Sequence, residues 1–281
     1  MTQENYIYDP RTHTDFAVSG KTENRTGLNY TENEFSALVN YKEHIENGMI
    51  QFVDFKIPFF KQSNQGLACK LAEDLLKITD TLQLKLDYKH TVNEVLNLTQ
   101  LHTKYLEQKP KLIEKYKQIP DFDKLLDNYE QNLQNEEKVR KSLFYKGIHA
   151  LFFPRIKEYI DKNRTEEAFI RTRTFPNYLF TVDLPVKENF TYKRIGANYL
   201  VETQGGIDFE KLNKPKFLEA CRMLFGKEVK LADISLKIHE TYELNHKLNY
   251  EKGKLTHNFE VKGVHFNRES MHYVVKTPND V

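Results

Sequence analysis

The spacing of apolar residues predicts a helical middle for this chain. Steps of three and four residues, which place apolar side chains on one face of a helix, are clearest after Gly66. A second stretch with this spacing follows Asp121, and together the two predict a long antiparallel helical hairpin over residues 66–164. The apolar positions are Leu67, Leu71, Leu75, Ile78, Leu82 and Leu86, then Leu125, Leu126, Tyr129, Leu133, Val139, Leu143 and Phe144.

Shorter helices are predicted on both sides of this hairpin. Thr31 and Glu34 have the spacing of a capping box, which predicts a helix over residues 31–47. Residues 215–226 begin with proline and end with glycine, the order typical of a compact helix. Residues 229–250 are ambiguous between strand and helix, and the helix is favoured by the spacing of Leu231, Ile234, Ile238 and Tyr242.

Alternation of apolar and polar residues predicts strands elsewhere in the chain. Residues 49–60 show the pattern best, and Pro58 ends this strand or places it at a sheet edge. After Arg164 the spacing drifts towards a period of two residues. It predicts a strand that contains Tyr178, Phe180 and Val182 and ends at Pro185, a strand at Ile195–Glu202, a turn at Gly205-Gly206, and strands at 256–266 and 271–276.

These elements predict an α+β fold, with a long antiparallel helical hairpin between sheet-containing N- and C-terminal portions. The first residues are polar, with few apolar anchors, and cannot bury much area by themselves. The predicted divisions are an extended N-terminal arm at 1–30, a small α/β segment at 31–65, a helical hairpin region at 66–164 and an α+β C-terminal domain at 165–281.

Composition narrows the function classes and the location. The 42 basic and 40 acidic residues leave a net charge of +2, whereas a dedicated polyanion binder carries a strong basic excess. No apolar run approaches the length of a transmembrane helix, and the start of the chain lacks the features of a signal peptide. Cys69 and Cys221 lie in apolar surroundings, far apart in the sequence. We therefore expect reduced thiols, no membrane partner and a cytoplasmic location.

One group of side chains has the spacing of a metal site. If residues 229–250 are helical, His239, Glu243 and His246 lie on one face, and imidazole and carboxylate groups both ligate zinc. The same spacing arises on polar helix faces that bind nothing, and surface histidines are commoner than ligands. A fourth ligand is not identifiable, so the metal-site interpretation stands beside the plainer one of a solvated helix face.

A second group combines basic and aromatic residues near 164–194. Its basic members are Arg164, Arg171, Arg173, Lys193 and Arg194, interleaved with Phe175, Tyr178 and Tyr192. Such a surface is able to contact phosphates and stack on bases. Acidic residues such as Glu188 dilute it, and aromatic residues on strands usually pack in a core, so the structural interpretation remains open.

No motif in the sequence names a reaction, so we predict no catalytic residue and no cofactor. A long hairpin with a polar stretch, together with a polar arm, is typical of elements that reach another molecule. We therefore expect a non-enzymatic structural or adaptor subunit of a larger assembly, with other protein subunits as partners. The alternatives are a nucleic-acid-binding protein that uses the basic-aromatic residues, or a metal-dependent hydrolase.

Overall fold

The fold is built mainly from antiparallel strands. The computed structural model describes residues 13–26, 29–46, 50–87, 91–119, 121–145, 147–153, 159–161, 163–179, 182–225, 228–245 and 250–276. Of these residues, 54% lie in strands and 29% in helices. The strands are β1 (His13–Thr26), β2 (Asn29–Glu46), β3 (Ile50–Gln62), β4 (Thr81–Leu86), β5 (Val92–Val95), β6 (Glu166–Leu179), β7 (Val182–Ile195), β8 (Asn198–Ile207), β9 (Ile234–Leu244), β10 (Tyr250–Val261) and β11 (Val264–Lys276). The helices are α1 (Leu67–Leu76), α2 (Leu98–Tyr116), α3 (Phe122–Leu133), α4 (Glu136–Tyr145), α5 (His149–Phe152) and α6 (Lys214–Phe225).

The described strands form one sheet in the order β5-β4-β3-β2-β1-β11-β10-β9-β8-β7-β6. Nearly all neighbours in the sheet are consecutive in the sequence, as short antiparallel connections allow. β5 and β6 are the two edge strands of this order.

The chain divides into two compact units. One comprises Met1–Val18, Phe35–Tyr159 and Val274–Val281, and the other comprises Ser19–Glu34 and Ile160–Tyr273. These are called the first and the second unit.

The core of the first unit is aromatic. Phe55 of β3 contacts Phe152 and Phe153, with ring centroids 5.2 and 5.4 Å away in edge-on arrangements. The buried Tyr105 of α2 donates a hydrogen bond of 2.8 Å to the backbone carbonyl of Leu126 in α3. Aromatic packing and this buried hydrogen bond therefore stabilise the helices of the unit.

The core of the second unit lies between α6 and one face of its strands. Phe217 of α6 packs edge-on against Phe259 of β10, with ring centroids 6.2 Å apart. This face is called the inner face. Alternate residues of β7, β9 and β10 line it, as the two-residue period of a strand requires. The buried cluster consists of Leu179, Val182, Leu184, Val186, Leu212, Phe217, Ala220, Cys221, Ile234, Leu236, Ile238, Phe259 and Val261.

The predicted α+β fold with a long helical hairpin is wrong. Within residues 66–164 the described helices are short, and the strands β4 and β5 separate α1 from α2. Leu82, Leu84 and Leu86 are buried at alternate positions of β4. A step of four residues returns to the same face in a strand as well as in a helix. Leu82 and Leu86 therefore only mimic a continuation of the α1 spacing.

The helix predicted over residues 31–47 is also wrong, because this segment is most of β2. Ala37, Val39 and Tyr41 are buried at alternate positions. The register of β2 against β3 shifts between Leu38 and Asn40, which is the position of a β-bulge. Leu38 lies on the opposite, exposed face, and Ile45 is exposed near the end of the strand although it has the same parity as Val39 and Tyr41. In the sequence, Phe35, Leu38, Val39 and Ile45 fall near helical spacing, which favours a helix although they do not share one exposure pattern in the strand.

The helix predicted over residues 229–250 is replaced by β9, with residues 246–249 outside the described part. Ile234, Leu236 and Ile238 are all buried, which is the two-residue period of a strand. Because Ile234 and Ile238 are four residues apart, they fit either structure. Leu236 discriminates between the two, since it shares a face with its neighbours only in a strand.

Two predicted breaks lie inside strands. Gly205 and Gly206 belong to β8, where they pair with Glu188 and Lys187 rather than forming a turn. Pro185, expected to end a strand, lies within β7 and pairs with β6. Of the strand predicted there, Phe180 lies outside the described residues.

Other predictions are confirmed. The strand at 49–60 is β3, and the compact helix at 215–226 is α6. Pro58, however, neither ends β3, which runs to Gln62, nor places it at the sheet edge, because β3 lies between β2 and β4. The two final strands are β10 and β11, but their turn is at Lys262–Gly263, where both residues have positive φ. Among the helices that the structure describes, none combines the length and the apolar character that spanning a membrane requires.

Candidate functional site

Four strands of the second unit, β6, β7, β9 and β10, bring ionisable side chains onto the inner face. Arg171 of β6 lies opposite Glu188 of β7, which in turn lies opposite Gly205 of β8. Glu240 of β9 lies opposite Thr203 of β8. We call the set formed by Arg171, Arg173, Glu188, Glu240 and His257 the buried ion-pair row.

Two glutamates hold the two arginines of this row. Arg171 Nε lies 2.5 Å from Glu188 Oε1, and Arg173 Nε lies 3.0 Å from Glu188 Oε2. Arg173 Nη2 lies 2.5 Å from Glu240 Oε1. Both glutamate side chains are at most 1% exposed, and the two arginine side chains are 7% and 18% exposed. Two positive and two negative charges therefore balance where solvent is largely excluded, as burial of charge requires.

The pKa values of Glu240 and Arg173 shift in opposite directions, because each charge stabilises the other. Burial by itself would raise the pKa of the Glu240 carboxyl, but Arg173, His257 and Tyr242 outweigh burial and lower it. Burial would likewise lower the pKa of the Arg173 guanidinium, but the charge of Glu240 more than offsets it and the pKa is raised. Both groups therefore remain charged in the folded protein.

His257 and Tyr178 extend the row on the inner face. The Tyr178 hydroxyl lies 3.1 Å from His257 Nδ1. His257 Nε2 lies 3.8 Å from Glu240 Oε1, which is longer than a hydrogen bond. Burial raises the pKa of Tyr178 to about 12, so its hydroxyl stays protonated at neutral pH. The row is therefore a chain of polar contacts from β6 through β9 to β10.

An aromatic ring lies beside each of the two guanidinium groups. Arg171 Cζ lies 4.4 Å from the ring centroid of Phe190, and Arg173 Cζ lies 4.4 Å from that of Phe175. Cation–π contacts of this kind are strengthened where water is excluded. The contact of Arg171 with Phe190 attaches β6 to β7 in addition to the hydrogen bonds between them, whereas Arg173 and Phe175 both belong to β6.

Gly205 provides the space that Glu188 occupies. A Cβ atom at Gly205 would lie 2.6 Å from Glu188 Cβ and 2.7 Å from the backbone oxygen of Lys187. Both distances are shorter than van der Waals contact, and a backbone atom cannot move aside without displacing its strand.

Replacing Gly205 with alanine is therefore expected to lower the free energy of unfolding by about 1–3 kcal/mol, the usual effect of overpacking. Urea denaturation of both proteins measures the difference. Gly66→Ala is the matched control, because only the end of the Asn64 side chain lies near the new Cβ there. We expect the control to change stability by less than about 0.5 kcal/mol. Equal effects of the two substitutions would contradict this role of Gly205.

The outer side of β6 is a long strand edge. The backbone N–H of Arg194 donates to the carbonyl of Thr165, which lies opposite it in the register. In an antiparallel pair, residues that bond the partner strand alternate with residues that face away. The backbone groups of Ala168, Ile170 and Thr172 therefore face away from β7. In the part of the chain that the structure describes, no strand pairs with this side of β6. We call residues 166–174 the β6 edge.

Two of the basic residues predicted to bind nucleic acid belong to the ion-pair row. Arg171 and Arg173 point to the inner face and are neutralised by Glu188 and Glu240. A contact with a phosphate would have to break these pairs and leave the glutamates buried without counter-charges, which costs several kcal/mol.

The other three predicted basic residues are exposed. Arg164 pairs with Glu167 at 2.7 Å, and Lys193 and Arg194 lie exposed near the end of β7. The structure thus separates the five residues into a buried pair and an exposed group of three. Binding of nucleic acid by the exposed group stays a prediction.

The predicted metal ligands do not lie on a helix. His239 and Glu243 lie on β9, where four residues span about 13 Å, whereas the ligand atoms of zinc lie about 2 Å from the ion. His239 Nε2 instead lies 2.9 Å from Glu202 Oε1, and His246 lies outside the described residues. Within the described ranges, no group of three histidine, cysteine or acidic residues is arranged to hold a metal ion.

Sequence reasoning named Glu188 only as an acidic residue that dilutes the basic group, and it missed Glu240 and His257 as members of the ion-pair row. Glu240 offered a signal, because it takes a buried-face position in the alternation of β9, where an apolar residue is expected. Glu188 offered no signal of its own, since its partners are known only from the register of β6 and β7. Burial also raises the pKa of the Cys221 thiol to about 11, which leaves this thiol protonated and unreactive.

Comparisons with known proteins do not assign a family. No family model and no curated protein matches the sequence. Among solved structures, lipovitellin is similar over 96% of this chain and 25% of its own, at 9% identity and a TM-score of 0.41, so this chain spans a quarter of that protein. A mutant porin of Rh. blastica is similar over 94% of this chain and all of its own, at 7% identity and a TM-score of 0.28. A porin-like protein from Bacteroides uniformis is similar over 98% and 100%, at 7% identity and a TM-score of 0.18. Similarities at this level carry no argument about the function of this chain.

Proposed function

We propose that this protein is a non-enzymatic subunit of a larger assembly, and that it joins its partner by accepting a strand at the β6 edge. The observation that carries the proposal is the exposure of Ile170, which is 65% exposed in the middle of this edge. Ala168 and Thr174 share its side of the strand and are also exposed. An extended chain that adds here gains backbone hydrogen bonds and covers these side chains.

The central, outward-facing side of the β6 edge carries no charged residue, and no described strand covers it. Natural proteins cover such edges or place lysine or other charged residues on them, because an open edge pairs with other chains. Here the charged residues of the central segment, Arg171 and Arg173, are turned to the inner face and neutralised there. Ala168, Ile170, Thr172 and Thr174 present no charge at all. The central part of the edge is therefore open to pairing, and Glu166 and Pro176 of the same strand restrict how far a partner strand extends along it.

The buried ion-pair row supports this role by keeping β6 in place before a partner arrives. A partner strand that pairs with a flexible segment must offset the loss of backbone freedom in both chains. Ion pairs hold β6 at two central positions, and the cation–π contact of Arg171 with Phe190 of β7 adds to them. Preorganisation of this kind raises affinity without adding a contact.

Replacing Ile170 with lysine is expected to reduce capture of partner proteins at least tenfold, because it places a charge in the middle of the edge. The measurement is a pull-down with the tagged full-length chain from nuclease-treated source cells, with mass spectrometry of the bound proteins. Leu200→Lys is the matched control, since Leu200 is 47% exposed on β8, which has a strand on both sides. We expect this control to retain its partners.

Hydrogen exchange of the captured complex supplies an independent readout. We expect the amides of Ala168, Ile170 and Thr172 to gain protection, because they face the added strand. Capture that is equal for the native chain and Ile170→Lys, or the absence of any stoichiometric partner, would overturn the proposal.

A further inference from the structure

We infer that protonation of His257 weakens the attachment of β6 to the inner face, and that it thereby lowers the affinity of the β6 edge for a partner strand. The inference rests on the proposed function and names its regulation. It follows from two contacts of His257 with the groups that hold β6, and from the charge balance of the buried ion-pair row.

The first contact joins His257 to Tyr178, which belongs to β6. Burial raises the pKa of Tyr178 to about 12, so its hydroxyl keeps its hydrogen and donates it to His257 Nδ1, 3.1 Å away. The proton of the neutral imidazole is then on Nε2, the nitrogen that faces the carboxylate of Glu240. In a protonated ring Nδ1 also carries a hydrogen and accepts nothing. Protonation therefore disrupts the hydrogen bond that joins β10 to β6.

The second contact joins His257 to the carboxylate oxygen that holds Arg173 of β6. Glu240 Oε1 lies 2.5 Å from Arg173 Nη2 and 3.8 Å from His257 Nε2. Among the described residues, His257 Nε2 has no hydrogen-bond partner of its own. The other oxygen of Glu240 accepts a hydrogen bond from the Tyr242 hydroxyl. A protonated ring is attracted to Oε1 and competes there with Arg173, because two cations then share one oxygen.

The charges of the ion-pair row balance only while His257 is neutral. Arg171 and Arg173 of β6 are matched by Glu188 of β7 and Glu240 of β9. The side chain of His257 is 3% exposed, so a proton on it adds a third positive charge where solvent is largely excluded. Such a charge is costly without a counter-charge of its own. Protonation therefore destabilises the packing of β6 on this face.

The other titratable groups on this side of the sheet supply no further negative charge. Arg268 of β11 lies directly opposite His257 in the register, and its positive charge also acts on Tyr178. His272 of β11 stays neutral above about pH 4, because burial lowers its pKa. Cys221 of α6 stays protonated, because burial raises its pKa to about 11. A proton on His257 thus adds to an excess of positive charge.

Hydrogen exchange measured by NMR tests the inference in the full chain without a partner. Histidine ordinarily changes its charge between about pH 5 and pH 8, so the comparison is made at about pH 7.5 and about pH 5.5. After correction for the intrinsic pH dependence of exchange, we expect the amides of Phe169, Arg171 and Arg173 to exchange at least about fivefold faster at the lower pH. The amides of β8, which has a strand on both sides, are the internal reference.

His257→Asn is the decisive variant, because its side-chain oxygen still accepts from Tyr178 but takes up no proton in this range. We expect exchange of β6 in this variant to be equal at the two pH values. His265→Asn, at an exposed site on β11, is the matched control and should follow the native chain. Equal exchange of β6 at both pH values in the native chain would overturn the inference, as would the same acceleration in His257→Asn.

The ring nitrogens of His257 give a readout that does not depend on a variant. Their NMR signals are assigned through the contacts of the ring with Phe175 and Tyr178. We expect a neutral ring with its proton on Nε2 at about pH 7.5, and a doubly protonated ring at about pH 5.5. A ring that is still neutral at the lower pH overturns the inference.

Capture of partner proteins at the two pH values separates this inference from the proposed function. The native chain is expected to capture its partner at least about fivefold less at the lower pH, whereas His257→Asn captures it equally at both. An equal loss in the native chain and in His257→Asn assigns the pH dependence to the partner and overturns the inference, but the proposed function stands. No capture at either pH, with pH-dependent exchange of β6, overturns the proposed function and leaves the effect of His257 on β6 in place.

Discussion

Replacing Glu188 with alanine is expected to lower the free energy of unfolding by about 3–5 kcal/mol, the effect of leaving a buried charge without its partner. Glu188 contacts Arg171 and Arg173 at once, and its side chain is fully buried. Its loss leaves Arg171 without this counter-charge and leaves Arg173 only Glu240. Urea denaturation with a linear extrapolation measures the effect.

Two further variants make the Glu188 experiment specific. Glu202→Ala removes an exposed carboxylate that pairs with His239, and exposed pairs of this kind contribute less than about 1 kcal/mol. Combining Glu188→Ala with Arg171→Met removes one of the two positive charges that Glu188 balances, so the double variant is expected to be more stable than Glu188→Ala alone. A loss below about 1 kcal/mol for Glu188→Ala, or no recovery in the double variant, would show that the ion-pair row does not hold β6.

The protein is expected to lose stability as the pH falls from about 6.5 to about 4. Burial lowers the pKa of His149 from 6.5 to about 4, although the backbone carbonyl of Thr79 and the charge of Asp80 oppose this shift. In the unfolded chain His149 binds a proton below pH 6.5, whereas in the folded protein it stays neutral until about pH 4. The unfolded state therefore binds more protons in this window, so acidification favours unfolding by up to about 3 kcal/mol.

The measurement for His149 is the free energy of unfolding as a function of pH. His149→Gln can still donate a hydrogen bond to Thr79 O, which His149 Nε2 contacts at 2.9 Å, but it cannot be protonated. We expect the free energy of unfolding of this variant to depend less steeply on pH between 6.5 and 4. Burial also lowers the pKa of His272 to about 4, so part of the dependence should remain. His265→Gln, at an exposed site, is the control and should follow the native profile. An unchanged slope in His149→Gln would contradict this assignment.

Parts of the fold could be predicted because their local pattern has one interpretation. In β3, Val53, Phe55 and Ile57 alternate with polar residues, which no helix allows. In α6, a proline near the start and a glycine after the end agree with the spacing between them. In both segments every local signal favours the same element.

Other parts could not be predicted because a step of four residues is common to helices and strands. Leu82 and Leu86 share a face in β4, as Ile234 and Ile238 do in β9, and each pair also fits a helix. In β2 the apolar Leu38 lies on the exposed face of an uninterrupted alternation, because the extra residue of the bulge is in β3, opposite Val39. The local spacing is misleading because a short stretch of sequence does not show which strand pairs with these residues.

The candidate site shows the same division. The basic residues of β6 are evident in the sequence, and their number and spacing predict a surface that binds phosphates. Glu188 pairs with Arg171 only because β7 lies beside β6 in a definite register, and Glu240 reaches Arg173 only through the order of the four strands β6 to β9. These contacts reverse the interpretation of two arginines from exposed ligands to buried structural groups.

Composition by itself determines the balanced charge. Local periodicity predicts β3 and α6, because each of these elements depends on residues close together in the chain. The position of β6 at the edge of the sheet, the burial of its arginines and the exposure of Ile170 depend on which strands lie beside it. Strand order is set by hydrogen bonds and packing between residues that are distant in sequence, and no local pattern encodes it.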